Sequence, residues 1–186
     1  MTKKVLVPIA DGTEEIEAVC IVDVLRRAGA EVTVASVEKE LQITASRGVK
    51  IVADARIEEC TETDYDLIAL PGGMPGAERL RDSTSLSGLL KEQRQRGKPY
   101  AAICAAPAVA LQPHGLLDGR KATTHPGFVD RLKDAAAAEN RVVVDGVVVT
   151  SRAPGTAIEF ALALVALLFG PDKADAVAEP MLVAGR

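Results

Sequence analysis

The sequence predicts an α/β fold, a three-layer α/β/α sandwich on a flavodoxin-like, mostly parallel sheet with a nucleophile elbow. Three observations carry that expectation. Apolar runs such as KVLVPIA, EVTVASV and YDLIALPGG continue without polar alternation, as strands covered on both faces do. Helix-length segments separate them, the alternation of a parallel sheet. Three segments, IADGTEEIE, LPGGMPG and ICAAP, arrive at the carboxyl ends of strands, where open α/β sheets gather their reactive groups.

The elements follow in order. KVLVPIA (4–10) is the first strand, and EEIEAVCIVDVLRRAG (14–29) is the first helix, stopped by Gly29. EVTVASV (31–37) and the shorter KIVAD (50–54) are strands, and YDLIALPGG (65–73) is a third long apolar run. A helix over about 84–96 ends at Gly97, and PYAAIC (99–104) is the next strand. NRVVVDGVVVTS (140–151) reads as two strands around Asp145-Gly146, a hairpin signal. A long helix from about 154 to 169 and a short one near the C-terminus complete the chain. With 186 residues and no linker or repeat, a single domain over 1–186 is expected.

Composition narrows the function classes. The net charge of −4 and the lack of a basic cluster flanked by aromatics argue against nucleic-acid binding. KEQRQRGK (91–98) reads as a solvated helix end. The apolar run in MTKKVLVPIADG is too short for a secretory signal, and AIEFALALVALLFG is too short to cross a bilayer. The three cysteines, at 20, 60 and 104, have no paired spacing. The expectation is a cytoplasmic protein with reduced thiols and no membrane contact.

Cys104 is the candidate nucleophile. It falls where a strand turns sharply into a helix, and Ala102, Ala105, Ala106 and Ala108 are small enough to let that turn form. Pro107 suits the first helical position. A thiol there would gain from unpaired N–H groups and ionise more readily, although an inert buried cysteine is the commoner fate. The PGG at 71–73 lacks the Lys-Ser/Thr of a phosphate loop, so it reads as backbone donors beside Cys104.

Glu14, Glu15 and Glu17 open the first helix, where acidic residues complement its dipole. Glu17, among apolar residues, is the one expected to point inward. His114 and His125 are too few and too badly spaced for a metal site. Cys20 is expected inside an apolar helix, and Cys60, in ECTET, near the surface. From Ile16 to Leu25 the first helix shows no clean polar face. It is either fully buried or meets a second subunit.

The segments ADGTEEIEAV, VDVLRRAG, SRGVKI, LPGG, AAICAAPA, TTHP and TSRAPGTAIEFAL, in this order, resemble the ThiJ/PfpI superfamily. The likeness is greatest to the branch holding the parkinsonism-associated deglycase and its bacterial relatives. The resemblance implies a nucleophile at Cys104, a protonated partner acid at Glu17 and a nearby histidine at His125. It implies backbone donors at Gly73 and Ala105, anion-holding Arg27 and Arg47, and dimerisation through the first helix. The activity implied is cofactor-free and metal-free detoxification of reactive carbonyls, as a glutathione-independent glyoxalase or a deglycase of protein or nucleotide adducts. The alternative is a redox sensor or holdase chaperone using the same cysteine. ICAAP and SRAPG replace the family's usual ICAGP and SRGPG, and Ala105 replaces the histidine of the protease-like branch, which counts against a peptidase. The late His-x-Glu pair of glutamine amidotransferases is absent.

Overall fold

A computed structural model describes residues 2–183. The segment Lys4–Ile9, with β-branched Val5, Val7 and Ile9 at alternate positions, forms β1, parallel to β2 (Glu31–Ser36) on one side and β6 (Leu67–Leu70) on the other. Strand β7 (Tyr100–Ile103) pairs with β6 and with β9 (Val148–Ser151), both parallel. The short β5 (Ala55–Arg56) extends the β2 edge, and β8 (Val142–Asp145) closes the other edge antiparallel to β9. The order β5-β2-β1-β6-β7-β9-β8 is the mostly parallel sheet expected. Its direction of winding reverses between β1 and β6, the switch point where such sheets hold their sites.

Alternation of side chains sorts the core into two layers. Val5, Val7 and Ile9 pack with Ile21, Leu25, Phe160 and Leu164, on the face carrying α1 (Glu15–Arg27), α4 (Ala157–Phe169) and α5 (Pro171–Ala178). Leu6, Ile68, Leu70 and Tyr100 face the other layer, with α2 (Gly76–Asp82) and α3 (Thr84–Gln95). Helix α1 stops as its sequence demands. Gly29 adopts φ +92°, and Ala30 N–H reaches back to the Leu25 carbonyl at 3.0 Å.

Three details depart from the sequence reading. KIVAD is no strand of the main sheet; β4 (Lys50–Val52) pairs antiparallel with β3 (Gln42–Thr44) in a separate hairpin. The segment after Cys104 is one π-helical turn, Pro107–Leu111, followed by a 3₁₀ turn, Gln112–His114. Pro154–Thr156 is a 3₁₀ turn that precedes α4 rather than part of it.

Candidate active site

Cys104 directly follows β7 with φ +63°, a left-handed backbone that only one other non-glycine residue adopts among the described residues, Leu182. The conformation costs an L-residue roughly 1–2 kcal/mol, so its surroundings must hold it. Cys104 N–H donates to Ser151 O at 3.0 Å, and Cys104 O accepts from His125 N–H at 2.7 Å and from the Thr124 hydroxyl at 2.6 Å. The expected elbow is present, and its strain is concentrated on the cysteine.

Glu17 comes to the same place from α1. Glu14 caps that helix, its carboxylate accepting the Glu17 N–H at 2.9 Å. Glu17 is fully buried, as expected, and its Oε2 accepts the Gly72 N–H at 2.7 Å. Its Oε1 is buried with no conventional hydrogen-bond partner. The carboxyl group contacts the Cys104 thiol. A buried acid oxygen without a donor is the natural seat of a proton.

The Gly72-Gly73 pair is required by close approach. A Cβ on Gly72 would lie 2.7 Å from Cys104 Cβ and 2.8 Å from Ile103 O. A Cβ on Gly73, at φ +88°, would lie 2.4 Å from Glu14 N and from Gly12 O. With side chains absent, the loop after β6 threads between the first turn of α1 and the elbow. Gly73 and Ala105 both aim their backbone N–H groups at the Cys104 sulfur.

Electrostatics corrects one expectation. Burial, then the Glu17 charge, pushes the Cys104 thiol up to about 12, against the two amides. The helix-terminus argument fails because only a single π turn follows, while burial strips the thiolate of water. Burial likewise raises Glu17 to about 7. The two groups titrate as a pair: one proton leaves near 7 and the second is held until about 12. The Glu17 contribution to the high thiol value exists only while Glu17 is ionised.

The other named residues divide. His125 reaches Cys104 through its backbone; its ring packs on Phe128 and its Nδ1 accepts the Gly127 N–H at 3.1 Å. Arg47 lies at the site's end of the sheet, because Glu15 accepts the Arg47 N–H at 2.9 Å and the Ser46 hydroxyl at 2.8 Å. Arg27 does not join it within one chain. It pairs with Asp23 at the far end of α1, about 15 Å along the helix from Glu17, where it lines a groove of about 570 Å³ with Val22 and Val52. Cys60 is buried rather than exposed, and Cys20 is half-buried rather than shielded. Sequence reasoning missed Gly72 as the donor to Glu17, Glu14 as the cap that orients it, and the Thr124 hydroxyl; PGG, EE and TTH were the only signals. Among the described residues, no group of three or more His, Cys, Asp and Glu could hold a metal ion, and no helix is long and apolar enough to cross a membrane.

Comparison with known proteins agrees with this fold. The chain is 50% identical over 182 residues to the DJ-1 homolog B of Arabidopsis thaliana, covering 98% of itself but only 42% of that longer relative. It is 35% identical to the glutathione-independent glyoxalase DJR-1.2 of Caenorhabditis elegans over 182 residues, 97% of this chain and 95% of that one. The solved structure of oxidized Toxoplasma gondii DJ-1 superposes with a TM-score of 0.96 at 52% identity, over 99% of this chain and 100% of that one. Residues 3–167 match the DJ-1/PfpI family, and the chain belongs to it.

Proposed function

We propose that the protein is a cofactor-free, cysteine-dependent enzyme that detoxifies small reactive carbonyls such as methylglyoxal and glyoxal, free or as adducts on amines and thiols. The observation that carries this reading is the buried Glu17 carboxyl, one oxygen unpartnered, against a strained Cys104 that two backbone amides face. With one proton in the pair, thiolate and carboxylic acid is the better-solvated arrangement. The sulfur then has three donors, Glu17 O–H and the two amides, whereas a Glu17 carboxylate would have the Gly72 N–H and a weak thiol.

The thiolate adds to the aldehyde carbon, forming a C–S bond, and the oxygen takes the Glu17 proton under the Gly73 and Ala105 amides. Glu17, now the base, removes the hydrogen on that carbon as a proton and returns it to the neighbouring carbonyl carbon, while the hydroxyl proton passes from the first oxygen to the second, leaving a thioester beside a new hydroxyl. Oxidation of one carbon is balanced by reduction of the next, so no redox cofactor is needed. Water cleaves the resulting thioester and releases lactate from methylglyoxal, or glycolate from glyoxal, with the thiolate restored. His125 contributes through its backbone N–H on Cys104 O, and Arg47 holds an anionic group of larger adducts.

The likeness to a glutathione-independent glyoxalase supports the carbonyl chemistry. A second reading, a redox sensor or holdase acting through Cys104, is favoured by the neighbouring structure described as oxidized. Glutathione-free conversion of methylglyoxal to lactate by the purified protein and Cys104→Ala separates them. Lactate that vanishes in the variant supports the enzyme; no turnover in the wild type, with peroxide-dependent binding of unfolded clients, supports the sensor.

The working unit is a cytoplasmic homodimer joined through α1. Ile16 and Val19 are 54% and 56% exposed on the stripe that α4 leaves uncovered, which supports this assembly. Ile21 belongs to the core and is not at the seam. Val19→Glu should yield monomers by light scattering; an unchanged dimer mass would remove this helix from the interface.

A further inference from the structure

The peptide group joining Cys104 to Ala105 has two ends with different roles. Its N–H is one of the two backbone donors aimed at the Cys104 sulfur. Its oxygen is Cys104 O, which accepts two short hydrogen bonds, from the Thr124 hydroxyl at 2.6 Å and from His125 N–H at 2.7 Å. Thr124 is fully buried. The left-handed φ of +63° means the elbow would relax toward ordinary backbone, rotating this peptide, if nothing held the oxygen.

We infer that Thr124 is a positioning residue of the site: its hydroxyl fixes and polarises the Cys104–Ala105 peptide, and so aims the Ala105 N–H at the sulfur. Two bonds to the oxygen lock the peptide plane in which the N–H lies. Donation to a carbonyl oxygen also draws charge from the amide and strengthens its N–H as a donor. Thr124 thus acts on the sulfur through one peptide bond without touching it. The charged groups around the sulfur come from elsewhere: Glu17 faces it from α1, with Glu14 behind Glu17. His125, on the same segment as Thr124, turns its Nδ1 to the Gly127 N–H.

The inference rests on Cys104 being the nucleophile of the proposed reaction. Its test is the pH dependence of Cys104 alkylation by iodoacetamide, read by peptide mass spectrometry. Alkylation follows ionisation of the sulfur whatever the natural substrate is, so it fails separately from the carbonyl activity. Thr124→Val keeps the side-chain shape and removes the hydroxyl. Its alkylation midpoint should rise by about half a pH unit to one unit, with an approximately 3- to 10-fold slower rate at pH 7. Thr124→Ser keeps the hydroxyl and should follow the wild type. A Thr124→Val protein that melts like the wild type and keeps its alkylation midpoint overturns the inference. If that variant does not fold, Thr124→Ala against Thr124→Ser decides: both lack the methyl group, and equal midpoints overturn the inference while a higher midpoint in Ala upholds it.

Discussion

Cys104 and Cys60 are both free and buried, and burial leads the causes that push each thiol above its ordinary range. Their neighbours differ. Cys60 ends a 3₁₀ turn, Ile57–Cys60, with its thiol on Arg56 O at 3.5 Å and Tyr65 beside it. Cys104 sits on a left-handed backbone with two amide donors and an acid whose charge can be removed by one proton. Burial alone makes a quiet thiol. What separates the proposed nucleophile is a set of donors already in place and a partner that can hold the proton.

The largest effect should come from deleting each sulfur in turn. Cys104→Ala should abolish lactate formation from methylglyoxal, and Cys60→Ala should leave it unchanged. Equal losses would mean that the two environments do not differ in the way described.

Next is the acid. Glu17→Gln should keep the Gly72 hydrogen bond but lower carbonyl turnover by about 10²-fold or more, the usual scale of general acid–base help. The same change should stabilise the fold. Glu17 rises from an ordinary 4.5 to about 7 on folding, so the native state holds the proton more tightly than the unfolded chain. Native stability is therefore lost as pH climbs from 4.5 to about 7, and the full cost, roughly 3 kcal/mol, persists above it. Urea unfolding at pH 8 should show Glu17→Gln more stable by about that amount, with the difference gone near pH 4. No gain at pH 8 would mean that Glu17 is not strained by burial.

Smaller still is the selectivity of oxidation. Limiting peroxide should modify Cys104 before Cys20, although Cys20 is more exposed. The Gly73 and Ala105 amides and the Glu17 acid can hold a Cys104 thiolate, whereas burial and the Asp23, Glu14 and Glu17 charges all oppose one at Cys20. Cys60 should react last. Peptide mass spectrometry showing Cys20 oxidised first would make exposure the deciding factor.

The smallest effect concerns the arginines. Arg47→Ala should raise KM for an anionic adduct several-fold with kcat unchanged, and Arg27→Ala should do so only if the partner subunit brings it near. Equal KM values in wild type and Arg47→Ala would leave that loop without a binding role.

Much of this was legible in the sequence, for identifiable reasons. Buried parallel strands announce themselves as unbroken apolar runs, so β1, β2, β6 and β7 were placed within a few residues. The alanines around Cys104 and the glycines at 72–73 marked the elbow because close approach forbids side chains there. Other features depend on tertiary contact. ECTET looks exposed, yet a 3₁₀ turn puts Ile57 and Cys60 on one inward face. Cys20 looks enclosed in an apolar helix, yet it shares the outer stripe with Ile16 and Asp23. The rise in the Cys104 thiol comes from dehydration and from Glu17, 87 residues away in sequence, which no local pattern reports.

The pH dependence of kcat/KM for glutathione-free methylglyoxal consumption, in wild type and Glu17→Gln, tests the paired Cys104–Glu17 site most directly. The wild-type rate should climb as pH rises through about 7, where the pair loses its first proton. Glu17→Gln should run about 10²-fold lower and lack that limb. A Glu17→Gln enzyme with the wild-type rate and the same rise near 7 would contradict the account, because the proton that matters would then belong to another group.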